Sequence, residues 1–222
     1  LSLRRGQDER FALQQPCAIK VRAGETNALG RPWTLAVDAF QWGGEHRTVS
    51  ATAAVAWPAQ GNVRMNATNF TGADFSDFFE AKLANFWLDE LAITAQWTNG
   101  PLHSVIFASG SLTNGPDQTV SLHAKVKVAE LLAIEQLTLA NGYTPTLSVT
   151  GTVPVQIIPG RKGSMLVWDK SGRIALAGNW HEGQPETIAV PLGTWGELAV
   201  SRPELRFQVS GIPDAPFADL TV

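Results

Sequence analysis

The four histidines are the residues best suited to metal or acid–base chemistry, and their spacing favours neither. His46, His103, His123 and His181 occur singly, without the H-x-x-x-H, H-E-x-x-H or Cys/His spacings that bring metal ligands together. His181 precedes Glu182 in NWHEG, an arrangement open to an acid–base pair but typical of a solvated turn. The sequence therefore predicts no metal site and no cofactor.

The sequence also gives no support for a catalytic nucleophile. Cys17, the single cysteine, lies in QQPCAIKV among strand-forming residues, where a buried, inert thiol is expected. The chain has no G-x-S-x-G motif, and GRKGSM at 160–165 lacks the spacing of a phosphate-binding loop. Asp74, Asp77 and Glu80 align on a predicted helix, where a solvated acidic face is the ordinary outcome. We therefore predict that the protein is not an enzyme.

The low charge of the chain argues against polyanionic partners. Charged residues make up 17% of the 222 residues and the net charge is -3, whereas nucleic-acid binding requires dense Lys and Arg. No apolar run reaches the roughly 18 residues of a membrane-spanning helix. The chain does not begin with Met, so we expect a piece of a longer protein whose targeting or anchoring segments lie elsewhere.

The elements that must position any functional surface are predicted to be strands with one apolar face. In residues 137–155 the side chains alternate in steps of two, with Thr and Ser on the other parity, and successive side chains of a strand point to opposite faces. The apolar parity comprises Leu137, Leu139, Leu147, Val149, Val153 and Val155. The same alternation occurs in 33–42, 49–57, 104–112 and 120–128. This pattern predicts an all-β fold of long antiparallel hairpins.

Turn residues separate these strands, and one short helix is predicted near residues 74–84. Gly43-Gly44, the TNGP sequences at 98–101 and 113–116, NGYTP at 141–145 and DKSG at 169–172 are typical hairpin turns. Residues 128–137 fit either a helix or a strand. No domain boundary is evident, so residues 1–222 are interpreted as a single all-β domain or a fragment of a longer repeat protein, with a hinge candidate at 159–163.

Eight tryptophans accompany a single tyrosine, and three interpretations of them remain open. Exposed tryptophans in a row stack on sugar rings, whereas tryptophans at strand ends seal the rim of an apolar sheet. Ordinary core packing is the third interpretation.

The strand texture resembles that of the TamB and AsmA-like proteins of the Gram-negative envelope. The resemblance rests on LTLANGYTPTLSVTGTVPV, on VIFASGSL and on residues 67–97, where an A-D-F element precedes the next strand. It covers residues 33–158 best and carries no invariant signature. The tryptophan content is higher than that family's pattern.

This resemblance implies a long, twisted and curled sheet that forms an open hydrophobic β-groove. It implies a segment of a periplasmic or cell-envelope protein, anchored by segments outside this chain, that shields lipid acyl chains or assists outer-membrane assembly. The implied partners are a phospholipid or other acyl-chain ligand and an outer-membrane assembly protein. The predicted groove-lining residues are Leu137, Leu139, Leu147, Val149, Val153 and Val155, followed by Val105, Phe107, Val126 and Val128.

The alternative fold is a closed two-sheet β-sandwich that serves as a carbohydrate-binding or adhesive module, and a structural or capsid-like β protein is a third class. In a sandwich the apolar faces of two sheets cover each other. In a groove they form one continuous concave face. The arrangement of the sheet therefore discriminates between the sandwich and the groove.

Overall fold

A computed structural model describes most of the chain and shows an almost entirely β protein. The described residues are 2–5, 8–25, 32–44, 46–75, 86–113, 119–142, 144–161, 165–169, 174–191, 197–201, 208–209 and 218–221. Their single helix, α1, spans Gly72–Phe75.

The strands are numbered in chain order. The first nine are β1 (Ser2–Arg5), β2 (Asp8–Leu13), β3 (Ile19–Ala23), β4 (Trp33–Gly43), β5 (Thr48–Trp57), β6 (Gln60–Thr71), β7 (Phe86–Thr98), β8 (His103–Thr113) and β9 (Thr119–Val128). The others are β10 (Leu132–Asn141), β11 (Thr144–Val153), β12 (Val155–Ile157), β13 (Leu166–Trp168), β14 (Ile174–Trp180), β15 (Thr187–Pro191), β16 (Glu197–Ser201), β17 (Gln208–Val209) and β18 (Ala218–Thr221).

Fourteen of these strands form one open sheet. Eleven follow each other in antiparallel order, β1-β2-β4-β5-β6-β7-β8-β9-β10-β11-β14, after which β18 pairs with β14 in parallel and β17 pairs with β18. β3 lies beside β2 along the same edge of β4. The predicted all-β fold with an open, curled sheet is confirmed. The alternative of a closed two-sheet sandwich is wrong, because nearly all of the long strands belong to a single sheet.

Alternation of small apolar and polar residues explains why these segments are strands. In β5 every second side chain from Val49 to Trp57 is turned away from solvent, while Thr48, Ser50 and Thr52 are exposed. Bulges interrupt the alternation at Asp38–Ala39 of β4, where Ala39 has a φ of 43°, and in β7 between Leu88 and Glu90. An extra residue at a bulge restores the apolar face after the phase of the sequence changes.

Contacts between side chains of distant strands show that the sheet curls. Val120 of β9 and Trp180 of β14 belong to one buried cluster, to which Leu112, Leu139 and Leu147 add apolar contacts. Three strand spacings separate β9 from β14, about 14 Å in a flat sheet. Contact between the two side chains therefore requires that the sheet bend toward its apolar face.

One end of the curled sheet is crossed by the chain that follows β11. This end segment, residues 154–161, begins at a buried proline and includes β12, which pairs with β13 in a separate two-stranded sheet. Ile157 accepts a hydrogen bond from the backbone N–H of Leu102, between β7 and β8, at 2.7 Å. Farther along, Gly160 lies so close to Pro58 that a Cβ added to it would overlap the proline ring. The end segment thus reaches from β11 to the turn between β5 and β6.

The opposite end of the sheet is approached by the hairpin of β15 and β16. The Trp180 indole N–H donates to the carbonyl oxygen of Pro185 at 3.1 Å, which holds this segment on the apolar side of β14. β15 then lies against β8 and β9. At the same end, Asp74 of α1 is buried, forms an ion pair with Arg47 at 2.9 Å and accepts hydrogen bonds from the N–H and Oγ1 of Thr71.

Several sequence predictions can be placed on this fold. The predicted turns at 98–101 and 141–145 join β7 to β8 and β10 to β11, and the segment 128–137 that fitted two structures is mainly strand. The predicted helix near 74–84 overlaps α1 at 74–75, and its remainder lies outside the described residues. In the hinge candidate, Arg161 donates to Ile158 in a turn, and residues 162–163 lie outside the described part of the chain.

Candidate functional site

The candidate site is the apolar face of the sheet, here called the groove face. Residues that pair directly across neighbouring strands have side chains on the same face, so the register traces this face from strand to strand. The middle row is Phe40, Ala51, Met65, Ile93, Ile106, Val126, Ile134, Gly151 and Leu176. This row crosses nine strands without a polar side chain.

Two further rows run beside it toward the end at which α1 lies. The first is Trp42, Val49, Ala67, Leu91, Ala108, Ala124, Leu137, Val149 and Gly178. The second is Phe70, Leu88, Gly110, Leu122, Leu139, Leu147 and Trp180. None of the three rows contains a charged residue. The groove face is therefore one continuous apolar surface across the sheet.

Burial shows that the middle of the groove face is partly accessible. Met65, Ile93 and Ile106, in the middle row, are half-buried rather than buried, although they are the kind of side chain that a closed core covers fully. The buried members lie toward the ends, as with Val128 at 5% exposure and Phe70 at 6%. The middle of the groove face thus retains apolar surface that a hydrophobic ligand could cover.

The structure brings seven of the ten predicted groove-lining residues together on the groove face. Their register pairs Leu137 with Val149, Leu139 with Leu147, and Leu132 with Val153, while Val126 and Val128 pair with Ile134 and Leu132. These seven residues are Leu137, Leu139, Leu147, Val149, Val153, Val126 and Val128.

The other three predicted residues lie elsewhere. Val105 pairs with Lys127 and Phe107 pairs with Lys125. The side chains of Val105 and Phe107 therefore project from the polar face rather than the groove face. Val155 is buried at 6% exposure, but it belongs to β12 in the end segment. It follows Pro154, which has no N–H to donate to a neighbouring strand, and the chain leaves the main sheet there.

Sequence reasoning missed the groove-lining residues of the first half of the sheet. Met65 and Ile93 stand in the middle row, and Ile106 is the residue of SVIFASG that faces the groove. The alternation in β4 and β5 was a usable signal for this part of the face. In β8 the three consecutive residues 105–107 are all apolar, so alternation does not indicate which of them lie on the groove face.

Tryptophans gather at the end of the groove that the end segment crosses. The rings of Trp33 and Trp57 stack with their centroids 5.8 Å apart, and Trp97 meets Trp57 edge-on at 6.1 Å. The Trp97 indole N–H donates to the carbonyl oxygen of Pro58 at 2.9 Å. Trp57 thus contacts both other rings at the rim of the groove, and the three do not form the flat, exposed row that sugar stacking would require.

The polar face carries the charged groups of the sheet. Lys125 and Glu135 form a cross-strand ion pair at 2.7 Å, and the hydrogen bond and positive charge from Lys125 lower the pKa of the Glu135 carboxyl below its usual range. Lys127 adds a smaller effect in the same direction. The two faces therefore differ sharply in chemistry.

Little catalytic chemistry is assembled in the described part of the chain. His181 contacts Ser148 rather than Glu182, with 3.0 Å between the imidazole Nε2 and the hydroxyl oxygen. No group of three or more His, Cys, Asp or Glu residues that could hold a metal ion occurs among the described residues. Cys17 is a half-buried free thiol. No helix in the described ranges is long and apolar enough to cross a membrane.

Comparisons of the chain with protein-family models, curated proteins and solved structures find no match. The groove face, read from register and burial, is therefore the main guide to function.

Proposed function

We propose that this chain binds lipid acyl chains along the groove face and shields them from water. In this proposal it is a segment of a periplasmic or envelope protein of the TamB and AsmA-like kind, and it acts without catalysis. The observation that carries the proposal is the set of three uncharged rows that cross the open sheet.

The energetics of such a face suit acyl chains. Burial of one methylene contributes about 0.8 kcal/mol, and a row of Val, Leu, Ile and Met side chains offers this contribution along its whole length. The groove face holds no fixed pattern of polar partners that would select one chain conformation. A chain can therefore bind in many positions and shift between them, which is the behaviour required for shielding and passage of lipid.

A charge placed on the groove face tests the proposal. Val149 and Thr150 are neighbours in β11, but Val149 lies on the groove face while Thr150 is exposed on the polar face. The variants Val149→Glu and Thr150→Glu thus add the same charge at consecutive positions of one strand, on opposite faces of the sheet. Circular dichroism is used to verify that both variants fold.

The measurement is native mass spectrometry of each protein mixed with phospholipid in detergent. We expect phospholipid on the wild type and on Thr150→Glu, and its loss from Val149→Glu, because a buried carboxylate beside an acyl chain is strongly unfavourable. Phospholipid bound equally by both variants, or absent from the wild type, would contradict the proposal.

A further inference from the structure

A cavity lies where the end segment crosses the groove, and its walls are of two kinds. It has a volume of about 830 Å³. Its apolar wall includes Trp33, Trp57, Pro58 and Ile158, and its polar wall includes Arg22 and Arg161. Arg22 comes from β3, where its pairing with Thr34 places it on the polar face, whereas Arg161 comes from the end segment. The cavity therefore lies at the end of the sheet, where residues of both faces line it.

The cavity has an unbalanced positive charge. No Asp or Glu lies among the described residues that line it. An adjoining hollow, lined largely by residues of the polar face, shares Arg22 and Thr34 with the cavity and adds Lys20 and His103, again with no carboxylate among its described lining residues. The chain as a whole carries a net charge of -3. Cations have therefore collected at this end of an otherwise acidic protein, which favours an anionic ligand there.

The type of cation indicates which anion would fit. A guanidinium group presents planar pairs of N–H donors that match the oxygens of a phosphate or carboxylate. Two such groups on the polar wall could hold a phosphate between them. Because the side chains of Arg22 and Arg161 are exposed, they can adjust to the ligand.

The apolar wall connects the cavity to the groove face. Trp33 pairs with Trp57 across β4 and β5, two positions from the pair of Leu35 and Val55 on the same face. Their stacked rings extend the apolar wall of the cavity toward the apolar rows. A molecule with a phosphate at one end and a hydrocarbon chain at the other matches this sequence of surfaces.

We propose that the cavity binds the phosphate of a phospholipid head group whose acyl chain enters the groove past Trp33 and Trp57. This inference rests on the proposed acyl-chain function and adds to it a preference for an anionic head group. Free phosphate offers the same chemistry to the arginines, so the test must separate the two sources.

Matched probes separate the head group from the chain. Lysophosphatidic acid and monoacylglycerol with the same dodecanoyl chain differ only by the phosphate, and inorganic phosphate lacks the chain. Binding to the wild-type protein is measured by isothermal titration below the micellar concentration of each lipid. We expect lysophosphatidic acid to bind about tenfold more tightly than monoacylglycerol, as charge-assisted hydrogen bonds allow, and inorganic phosphate to bind far more weakly.

Charge-removing variants locate the preference. The double variant Arg22→Gln/Arg161→Gln is expected to bind both lipids with the affinity that the wild type shows for monoacylglycerol. Retained monoacylglycerol binding also demonstrates that this variant is folded. The control is Arg64→Gln, which removes an exposed cation from the polar face outside the cavity and should keep the tenfold preference.

The outcomes distinguish the two proposals. Equal affinity of the wild type for both lipids overturns the head-group site but leaves the acyl-chain function standing. Failure of the wild type to bind either lipid overturns the acyl-chain function as well. Inorganic phosphate that binds as tightly as lysophosphatidic acid overturns the link between the arginine site and lipid.

Discussion

Gly61 and Trp97 illustrate how a single residue shapes the rim of the groove. They are directly paired across β6 and β7, and the Trp97 ring covers the space that a Cβ on Gly61 would occupy. This placement lets the indole reach Pro58 and meet the edge of Trp57. An aromatic ring over a cross-strand glycine is a favourable pairing because it covers exposed backbone.

Replacement of this glycine should displace the ring. We expect Gly61→Ala to destabilise the protein by about 1–3 kcal/mol, the usual result of overpacking, and to shift the tryptophan fluorescence toward that of exposed indole. Urea denaturation followed by fluorescence measures both effects.

The matched control is Gly100→Ala. The nearest atom to its added Cβ is the Thr98 carbonyl oxygen at 3.6 Å, an ordinary contact distance. This variant should unfold close to the wild-type midpoint. A Gly61→Ala protein as stable as Gly100→Ala would show that Trp97 is not held over Gly61.

At the scale of elements, the positions of the strands could be predicted well from the sequence. Which side chains of each strand lie on the groove face could be predicted only in part. The alternation in β9, β10 and β11 was regular enough to identify the groove side of Leu137 and Val149. In β8, however, Val105, Ile106 and Phe107 are all apolar, and only pairing with Ile93 and Val126 shows that Ile106 faces the groove. Cross-strand register is a long-range property that local alternation does not contain.

Bulges and breaks limit the prediction in a similar way. Val155 has the correct parity for the groove, but the chain leaves the main sheet at Pro154, and parity has no meaning across that break. A bulge also separates Ile134 from Leu137, which are three positions apart yet lie on the same face. Their apolar character could be predicted from sequence, whereas the extra residue that makes them neighbours could not.

The same bulge between β9 and β10 places Glu135 beside Lys125, and this pair gives the sheet a pH-dependent contact. Because Lys125 lowers the pKa of the Glu135 carboxyl, the contact is complete above the ordinary glutamate pKa, about 4.3. It is lost as the pH falls through the lowered value. Lys125→Gln should therefore raise the Glu135 pKa and reduce stability at neutral pH more than at acid pH.

Carbon-detected NMR titration of the Glu135 carboxyl measures this change. Lys127→Gln is the control, because Lys127 acts on Glu135 through the weaker charge effect and should cause a smaller rise. A Glu135 pKa in the wild type at or above the ordinary value, or an equal rise in both variants, would be evidence against the ion pair in solution.

For the whole molecule, the main sheet is open and other segments of the chain cover its two ends. This arrangement explains how the middle of its apolar face stays accessible. The end segment crosses one end beside the tryptophans, and the Trp180 cluster with β15 occupies the other. The fold class could be predicted from the alternation of apolar residues and the frequency of turns. The crossing of the ends depends on contacts such as those of Ile157 and Gly160 with distant turns, for which the sequence contains no local signal.

This architecture predicts that affinity should rise with the length of a neutral hydrocarbon chain. Every added methylene covers more of the groove face and contributes up to about 0.8 kcal/mol, or roughly fourfold in affinity. Octanol, decanol, dodecanol and tetradecanol share one small head group, so a titration series isolates the effect of the chain. We expect a steady increase in affinity and in Tm, a smaller increase for Val149→Glu, and the wild-type increase for Thr150→Glu. An affinity that does not change from octanol to tetradecanol would mean that the sheet offers only a short pocket, because a continuous groove must gain contact area as the chain lengthens.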